Sequence, residues 1–188
     1  MANNCFEDMN PENIDDCANT EIPAGISEVG IRYAIHSQIT TFPMPLNPGD
    51  PLFTYEKAVT VTEALVFAAG KGFANLKVQP DTGEVKLDLV GNKGNKKTKS
   101  SFDFFVPGND KKKLGFVRTL KNTPLLISVP ERDGQNRFIG DKYNPAYITE
   151  AAATTGKTGE DDKGIHFTIE AYGVPIVYEG AFQMFTPA

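Results

Sequence analysis

The sequence predicts a mostly β protein, a two-sheet antiparallel sandwich or open barrel with one flanking α-helix. Three observations lead to this fold class. Runs in which apolar and polar residues alternate recur along the chain, which is the pattern of half-buried strands. Turn-forming residues separate these runs, since the 188 residues include 17 glycines and 13 prolines. A single segment has apolar residues at helical spacing, and no repeat of fixed period indicates a solenoid or propeller.

The chain divides into an arm and one domain. Residues 1–25 predict an irregular acidic N-terminal arm, because they are rich in Asn, Asp and Glu and are interrupted by prolines. Residues 26–188 predict a single β-sandwich domain, which is long enough to bury one core. Both cysteines, Cys5 and Cys17, lie in the arm at a spacing that matches no metal signature or disulfide framework. Synthesis in a reducing cytoplasm is the simplest inference.

The first half of the domain predicts strands on either side of a long loop. Alternation over residues 27–36 predicts a half-buried strand. Residues 42–51 contain four prolines and must form an extended loop. Alternating Val and Thr predict a second strand over residues 56–64, whereas residues 65–80 fit either a strand or a helical turn.

A hairpin is predicted next. The Asp-Thr-Gly turn at residues 81–83 leads into a strand over residues 84–90, where Val and Leu alternate with charged residues. A Gly/Asn/Lys-rich connector over residues 91–100 joins it to a strand around residues 102–106. The connector is long for a hairpin, so we expect it to project from the body of the domain.

The one predicted helix follows. Asn109 is the expected cap, and Asp110 lies in the first turn, where the helix dipole favours an anion. The helix should end near Asn122, because Pro124 forces the preceding residue out of helical geometry. Its apolar residues recur at a spacing of three to four: Leu114, Val117 and Leu120.

The C-terminal part predicts four more strands, which brings the total to eight or so. They cover residues 125–129, 135–139, 165–172 and 175–179. Residues 141–164, rich in Ala, Thr and Gly, are predicted to form a loop too long to be a passive turn.

Charge is unevenly distributed along the chain. The net charge of −5 argues against a general nucleic-acid binder. Residues 1–31 contain seven acids and no Lys or Arg, whereas residues 91–121 contain nine bases and two acids. Opposite charge blocks can steer copies of a chain together, the alternative being two solvated surfaces that never meet.

The sequence predicts no enzyme, cofactor or metal site. The Thr-Thr-Gly-Lys-Thr run at residues 154–158 has Ala151 where a phosphate-binding loop needs its first glycine. The acids at residues 160–162 lack the alternating ligands of a calcium loop. His36 and His166 have no neighbouring ligand pattern, and no Ser or Cys nucleophile motif occurs. Neither a signal peptide nor a membrane span is predicted.

Four motifs near the C-terminus carry a resemblance to a known family. They are Ser-Val-Pro-Glu-Arg-Asp-Gly-Gln-Asn-Arg-Phe-Ile-Gly at residues 128–140, Thr-Gly-Lys at 155–157, Asp-Lys-Gly-Ile-His-Phe-Thr-Ile at 162–169 and Pro-Ile-Val-Tyr-Glu-Gly at 175–180. In this order they are similar to the C-terminal half of the major tail (tail tube) proteins of long-tailed bacteriophages, over about a third of the chain.

The resemblance implies a sandwich of two sheets flanked by a helix, assembled as hexameric rings that stack head to tail into a hollow tube. DNA would pass through an acidic channel without specific binding. Implied partners are further copies of the chain and tape-measure, tail-terminator and baseplate or hub proteins. The implied location is the virion tail, after synthesis in the cytoplasm of a bacterial host. Tubes of related injection machines share the fold, so both kinds of tube stay open.

We therefore predict a structural virion protein that is a tube subunit. The alternative is a β-sandwich adhesion or carbohydrate-binding module, which the absence of Trp and of a signal peptide disfavours. Self-assembly contacts are expected in the lysine-rich connector and the long loop, because long connectors in a compact domain usually have a function. The candidate residues are Lys93, Lys96, Lys97, Lys99, Tyr147, Lys157, Asp161 and Asp162.

Overall fold

The computed structural model describes residues 12–14, 23–27 and 29–186. The predicted acidic arm, with Cys5 and Cys17, therefore lies largely outside the described residues. The described chain forms twelve strands, one α-helix and a 3-10 turn at His36–Gln38. In chain order the elements are β1 (Arg32–Ile35), β2 (Ile39–Thr41), β3 (Thr60–Val61), β4 (Val66–Phe67), β5 (Ala74–Asn75), β6 (Glu84–Val90), β7 (Lys97–Pro107), α1 (Lys111–Leu120), β8 (Leu125–Pro130), β9 (Asn136–Ile139), β10 (Tyr147–Thr154), β11 (Gly164–Tyr172) and β12 (Ile176–Tyr178).

The strands form three sheets. A six-stranded sheet has the order β3-β12-β9-β8-β1-β5, a four-stranded sheet has the order β10-β11-β7-β6, and β2 pairs with β4. All pairs are antiparallel except β12 with β3. The predicted class, a mostly β sandwich with one helix, is confirmed.

The first core lies between the two large sheets. The four-stranded sheet contributes alternate residues of β7 and β11, which pair in register, such as Phe104 with Phe167. Their rings stack at 5.2 Å. The six-stranded sheet contributes Leu125, Ile127 and Val129 of β8, all fully buried. Strands β7, β8 and β11 thus each bury one face in this core.

A second core covers the other face of the six-stranded sheet. Leu126 of β8 points into it, and Phe138 stacks on Tyr178 with ring centroids 4.3 Å apart. Phe73, which directly precedes β5, packs against Phe138. The Tyr178 hydroxyl donates to the carbonyl of Ala181 at 2.8 Å, so the buried phenol has a partner. Strand β8 is consequently buried on both faces.

Helix α1 confirms the predicted helix, with a different cap. Asp110, not Asn109, is the N-cap, and its carboxylate accepts hydrogen bonds from the backbone N–H groups of Lys112 and Lys113, both at 3.0 Å. These bonds, that of Lys113 first, hold the pKa of Asp110 below its usual value. Phe116 anchors the helix through an edge contact with the Tyr33 ring at 5.2 Å. None of the described helical segments has the length and apolar character of a membrane-crossing helix.

Several strand predictions were wrong in extent. The predicted loop over residues 141–164 contains β10, an Ala-rich strand without the apolar alternation that marks a half-buried strand. The connector predicted over residues 91–100 ends at residue 96, where β7 begins. The strand predicted over residues 27–36 is only β1, because Gly30 has a φ of +94° and interrupts the extended chain. The strand predicted over residues 56–64 is reduced to β3.

Candidate assembly surfaces

The four-stranded sheet has a polar face, the side opposite the first core. Because side chains alternate along a strand, the core residues Phe102 and Phe104 are interleaved with outward residues such as Asp103. Strand registers place eight charged residues on this polar face, five carboxylates and three lysines, a balance of −2. They are Glu84, Lys86, Asp88, Lys97, Lys99, Asp103, Glu150 and Glu170.

Ion pairs run across the strands of the polar face. The Lys86 ammonium lies 3.0 Å from Glu84 and 3.1 Å from Asp103. The Thr168 hydroxyl donates to Asp103 at 2.7 Å. Partial burial would raise the pKa of Asp103, but the bonds from Thr168 and Lys86 outweigh it, so that the pKa lies below its usual value. The hydrogen bond to Glu84, followed by that to Asp103, raises the pKa of Lys86.

A second cross-strand pair joins β7 to β11. The Lys99 ammonium lies 2.7 Å from the Glu170 carboxylate, and this hydrogen bond raises the pKa of Lys99. The charge of Lys99 is therefore compensated within its own chain. Lys93, Lys96 and Lys97, by contrast, are exposed and form no ion pair with any described residue.

Both outer strands of this sheet have an open edge. Within the described residues no strand pairs with the free side of β6 or of β10. On β6 the apolar residues Leu87 and Leu89 are 49% and 67% exposed. On β10 every residue from Glu150 to Thr154 is exposed. The three residues between them are alanines, so this part of the edge contains no charged residue and no proline. Long edges of this kind are templates for pairing with another chain.

The two open edges run in opposite directions. Each neighbouring pair in the order β10-β11-β7-β6 is antiparallel, so β6 is antiparallel to β10 across the sheet. Copies related by rotation about an axis along the strands would place β6 of one beside β10 of the next, again antiparallel. The sheet can therefore be extended by copies of the same chain without a change in its pattern.

One end of the sheet, the basic end, brings most of the predicted lysines together. It consists of the β6–β7 turn at residues 91–96 and the adjoining ends of β7, β10 and β11. Lys93 and Lys96 lie in the turn and Lys97 starts β7. An open groove of about 330 Å³ beside them is lined by Lys99 and Tyr147, both predicted, and also by Tyr143 and Tyr172. We call it the tyrosine groove.

Sequence reasoning missed Tyr143 and Tyr172, although they are the most exposed tyrosines of the groove, at 74% and 57%. A signal for Tyr172 was present, since it follows His166, Thr168 and Glu170 at every second position on the polar face. Tyr143 precedes an Asn-Pro pair in an irregular segment, where no periodicity applies.

The opposite end of the sheet, the loop end, holds the other predicted residues. Residues 155–163 connect β10 to β11 there. The Asp161 carboxylate accepts the backbone N–H groups of Lys157 and Thr158 at 2.6 and 2.8 Å. These bonds, that of Thr158 first, hold the pKa of Asp161 below its usual value. Asp161 therefore shapes the loop, whereas Glu160 and Asp162 are exposed without ion pairs to described residues.

The predicted residues thus fall into two groups rather than one site. The ends are separated by the length of β7, about 36 Å for its eleven residues at roughly 3.3 Å each. The Thr-Gly-Lys run belongs to the loop end, where an antiparallel strand follows it and not a helix. Among the described residues, no group of three or more His, Cys, Asp or Glu is arranged to hold a metal ion.

Comparison of the chain with protein-family models, with curated proteins and with solved structures finds no match.

Proposed function

We propose that the chain is a structural subunit that assembles with its own copies into hexameric rings, stacked head to tail as the tube of a phage tail or a related injection machine. The observation that carries the proposal is the pair of open, oppositely directed edges on β6 and β10. The hexamer, the head-to-tail stacking and the passage of DNA come from the resemblance to tail tube proteins. So do the virion location and the partners, namely tape-measure, tail-terminator and baseplate or hub proteins.

Lateral contact would be made by the edges. Pairing β6 of one copy with β10 of the next satisfies backbone groups that otherwise remain open to water, and closure of the ring removes both open edges of the four-stranded sheet. Six four-stranded sheets would form one barrel of about 24 strands. The exposed Leu87 and Leu89 would then lie beside a neighbouring strand, which gives their exposure a reason.

The polar face would line the channel. Its balance of −2 per copy becomes about −12 in a ring of six, a charge that repels the DNA backbone. The cross-strand pairs Lys86–Asp103 and Lys99–Glu170 hold two of its lysines on carboxylates. Few cations therefore remain on this face to bind phosphate.

Axial contact would join the loop end of one ring to the basic end of the next. The loop end presents the exposed carboxylates of Glu160 and Asp162 in a connector that also carries Lys157 and Lys163, and the basic end presents Lys93, Lys96 and Lys97. A contact between two different surfaces at opposite ends of a molecule repeats without limit, which produces a linear stack. Opposite charge favours the right order of the two ends.

The decisive experiment blocks one edge at a time. Ala151→Lys with Ala153→Lys places charges on the core side of β10, where they reach water in a single copy and are trapped in an assembled sheet. Leu87→Asp with Leu89→Asp does the same on β6. We expect each variant alone to stay monomeric, and an equimolar mixture to form dimers, because each variant keeps the edge that the other lacks. Analytical ultracentrifugation and electron microscopy measure the outcome.

Ala152→Lys is the control, since it adds a lysine to the same strand but on the polar face. It should leave assembly intact. Rings formed by either blocked variant, or a mixture that stays monomeric, would contradict pairing of β6 with β10. A wild-type chain that forms neither rings nor tubes at high concentration would count against the whole proposal.

The tyrosine groove favours a second candidate, the adhesion or carbohydrate-binding module. Tyr143, Tyr147 and Tyr172 offer apolar ring faces with polar hydroxyls, and Asn144 and Glu170 supply hydrogen-bonding groups in the same groove. Binding to a glycan panel that is lost in Tyr172→Ala and kept in Tyr55→Ala, a change outside the groove, would support it. Absence of binding across the panel removes it.

A further inference from the structure

A second groove lies on the core side of the four-stranded sheet, near its loop end. It has a volume of about 240 Å³ and opens between helix α1 and the two large sheets. Its floor is apolar, with Tyr33, Leu76 and Val106 beside Phe116 and Phe167. We call it the helix groove. Because Tyr33 and Phe116 touch edge to face, the floor is held by the same contact that anchors the helix.

The rim of the helix groove is basic. Lys77, Lys112 and Lys113 line it, and no carboxylate from the described part of the chain does. Lys113 is engaged, because its ammonium lies 3.1 Å from Asp110. Lys77 and Lys112 are exposed and form no ion pair with any described residue. The groove therefore fits a segment that combines an apolar anchor with neighbouring carboxylates.

The chain itself contains such a segment. Phe6-Glu7-Asp8-Met9 places two carboxylates between two apolar side chains, and residues 1–22 contain no Lys or Arg at all. A phenylalanine side chain suits the aromatic floor, and the two acids suit the two free lysines of the rim.

The position of Glu12 indicates whose arm would fill the groove. The Glu12 carboxylate accepts the backbone N–H of Tyr55 at 2.9 Å, and Tyr55 lies five residues before β3. β3 and β5 are the two opposite edges of the six-stranded sheet, about 24 Å apart at roughly 4.8 Å per strand. The helix groove lies at the β5 edge, since it is lined by Asn75. Glu12 is thus held by the segment that leads into the opposite edge of the sheet.

We propose that the helix groove binds the Phe6-Glu7-Asp8-Met9 segment of a second copy, with Phe6 on the aromatic floor and the carboxylates on Lys77 and Lys112. This inference rests on the proposed self-assembly and gives the acidic arm a role in it. The arm then links copies by a contact separate from the edges of the four-stranded sheet.

The direct test measures binding of a labelled peptide of residues 1–11, with Cys5→Ser, to the full chain by fluorescence anisotropy. The receptor carries Phe6→Asp, so that its own arms do not compete. We expect saturable binding that weakens with salt, and a loss of about tenfold or more in affinity when Lys77→Glu and Lys112→Glu are combined. Lys71→Glu with Lys121→Glu, the same charge change outside the helix groove, is the control and should leave binding unchanged.

Disulfide trapping tests which copy supplies the arm. One chain keeps Cys5 but has Cys17→Ser, and the other has both native cysteines changed to Ser and carries Asn75→Cys. We expect a cross-linked heterodimer under mild oxidation, and none with Lys121→Cys in place of Asn75→Cys. A single chain with Cys5 and Asn75→Cys that closes on itself even when mixed with other copies would overturn the exchange between copies.

The two proposals fail separately. No peptide binding, or equal binding to the Lys77/Lys112 variant and its control, overturns the arm contact even if rings form. Peptide binding in a chain that never forms rings or tubes leaves the arm contact standing and contradicts the tube.

Discussion

The two large sheets of this molecule differ in what their strands face. In the six-stranded sheet, β8 is buried on both sides, between the first core and the second. In the four-stranded sheet, β7 and β11 bury one side only, and the outer strands β6 and β10 bury almost nothing. Burial of apolar surface is the main source of stability, so β8 and the core faces of β7 and β11 hold the fold together. The second sheet leaves its polar face and both of its edges exposed, which suits association.

The largest predicted effect tests this difference by removing a buried side chain from the six-stranded sheet and an exposed one from the four-stranded sheet. Phe138→Ala empties a fully buried site in the second core and should cost about 3–5 kcal/mol of unfolding free energy. Leu89→Ala, at the exposed end of β6, should change it by less than about 0.5 kcal/mol. Urea denaturation measures both values. Similar losses would show that the exposed strand β6 stabilises the fold as much as the second core does.

A second prediction concerns the two ends of the four-stranded sheet. Lys96→Glu with Lys97→Glu replaces two positive charges of the basic end with negative ones and should leave rings that no longer stack, because the new carboxylates would face Glu160 and Asp162 of the next ring. Tube length in electron microscopy measures the effect.

Charge exchange supplies the control for that prediction. Adding Glu160→Lys and Asp162→Lys to the same chain restores opposite charges between the ends, so tubes should return. Tubes of normal length in the first variant would remove the basic end from axial contact, and failure of the exchanged variant to stack would exclude the loop end as its partner.

The smallest effect is expected at Asp103 on the polar face. Its pKa lies lower in the folded chain than its ordinary value of about 3.9. The ionised carboxylate therefore stabilises the fold at pH values above that ordinary pKa. This contribution is lost as the pH falls through the lower pKa of the folded chain. Asp103→Asn should slightly lower the Tm at neutral pH and reduce its decrease on acidification. Thermal melts between pH 7 and pH 3 measure this, and parallel curves for both chains would contradict the assignment.

Regular elements with strong periodicity were predictable from the sequence. β6, β11 and α1 follow alternation or helical spacing, and the structure confirms them. β10 was not predictable, because its alanines contact little and show no apolar side. An edge strand is defined by its neighbour in the sheet, and pairing between distant segments is not encoded in local alternation.

The sequence allowed several residues of the candidate surfaces to be predicted, but not where those residues lie in the fold. Local sequence marks Lys96 and Asp162 as charged residues in connectors, yet it does not show that strand pairing sets them at opposite ends of one sheet. The helix groove was out of reach for the same reason, since Tyr33, Leu76 and Phe116 come from three separated segments. The carboxylate of Asp161, a predicted contact residue, accepts two backbone N–H groups of its own loop, and its part in assembly stays a prediction.

The irregularity in β10 has a consequence for the size of the assembly. The register between β10 and β11 shifts between Ile148 and Glu150, so Thr149 is an extra residue in the strand. A bulge bends its strand and increases the local twist. In a ring closed through β10, this single residue would contribute to the angle at which one copy meets the next. The number of subunits would then be a property of backbone curvature, and deletion of Thr149 would change the diameter of the ring rather than the strength of its contacts.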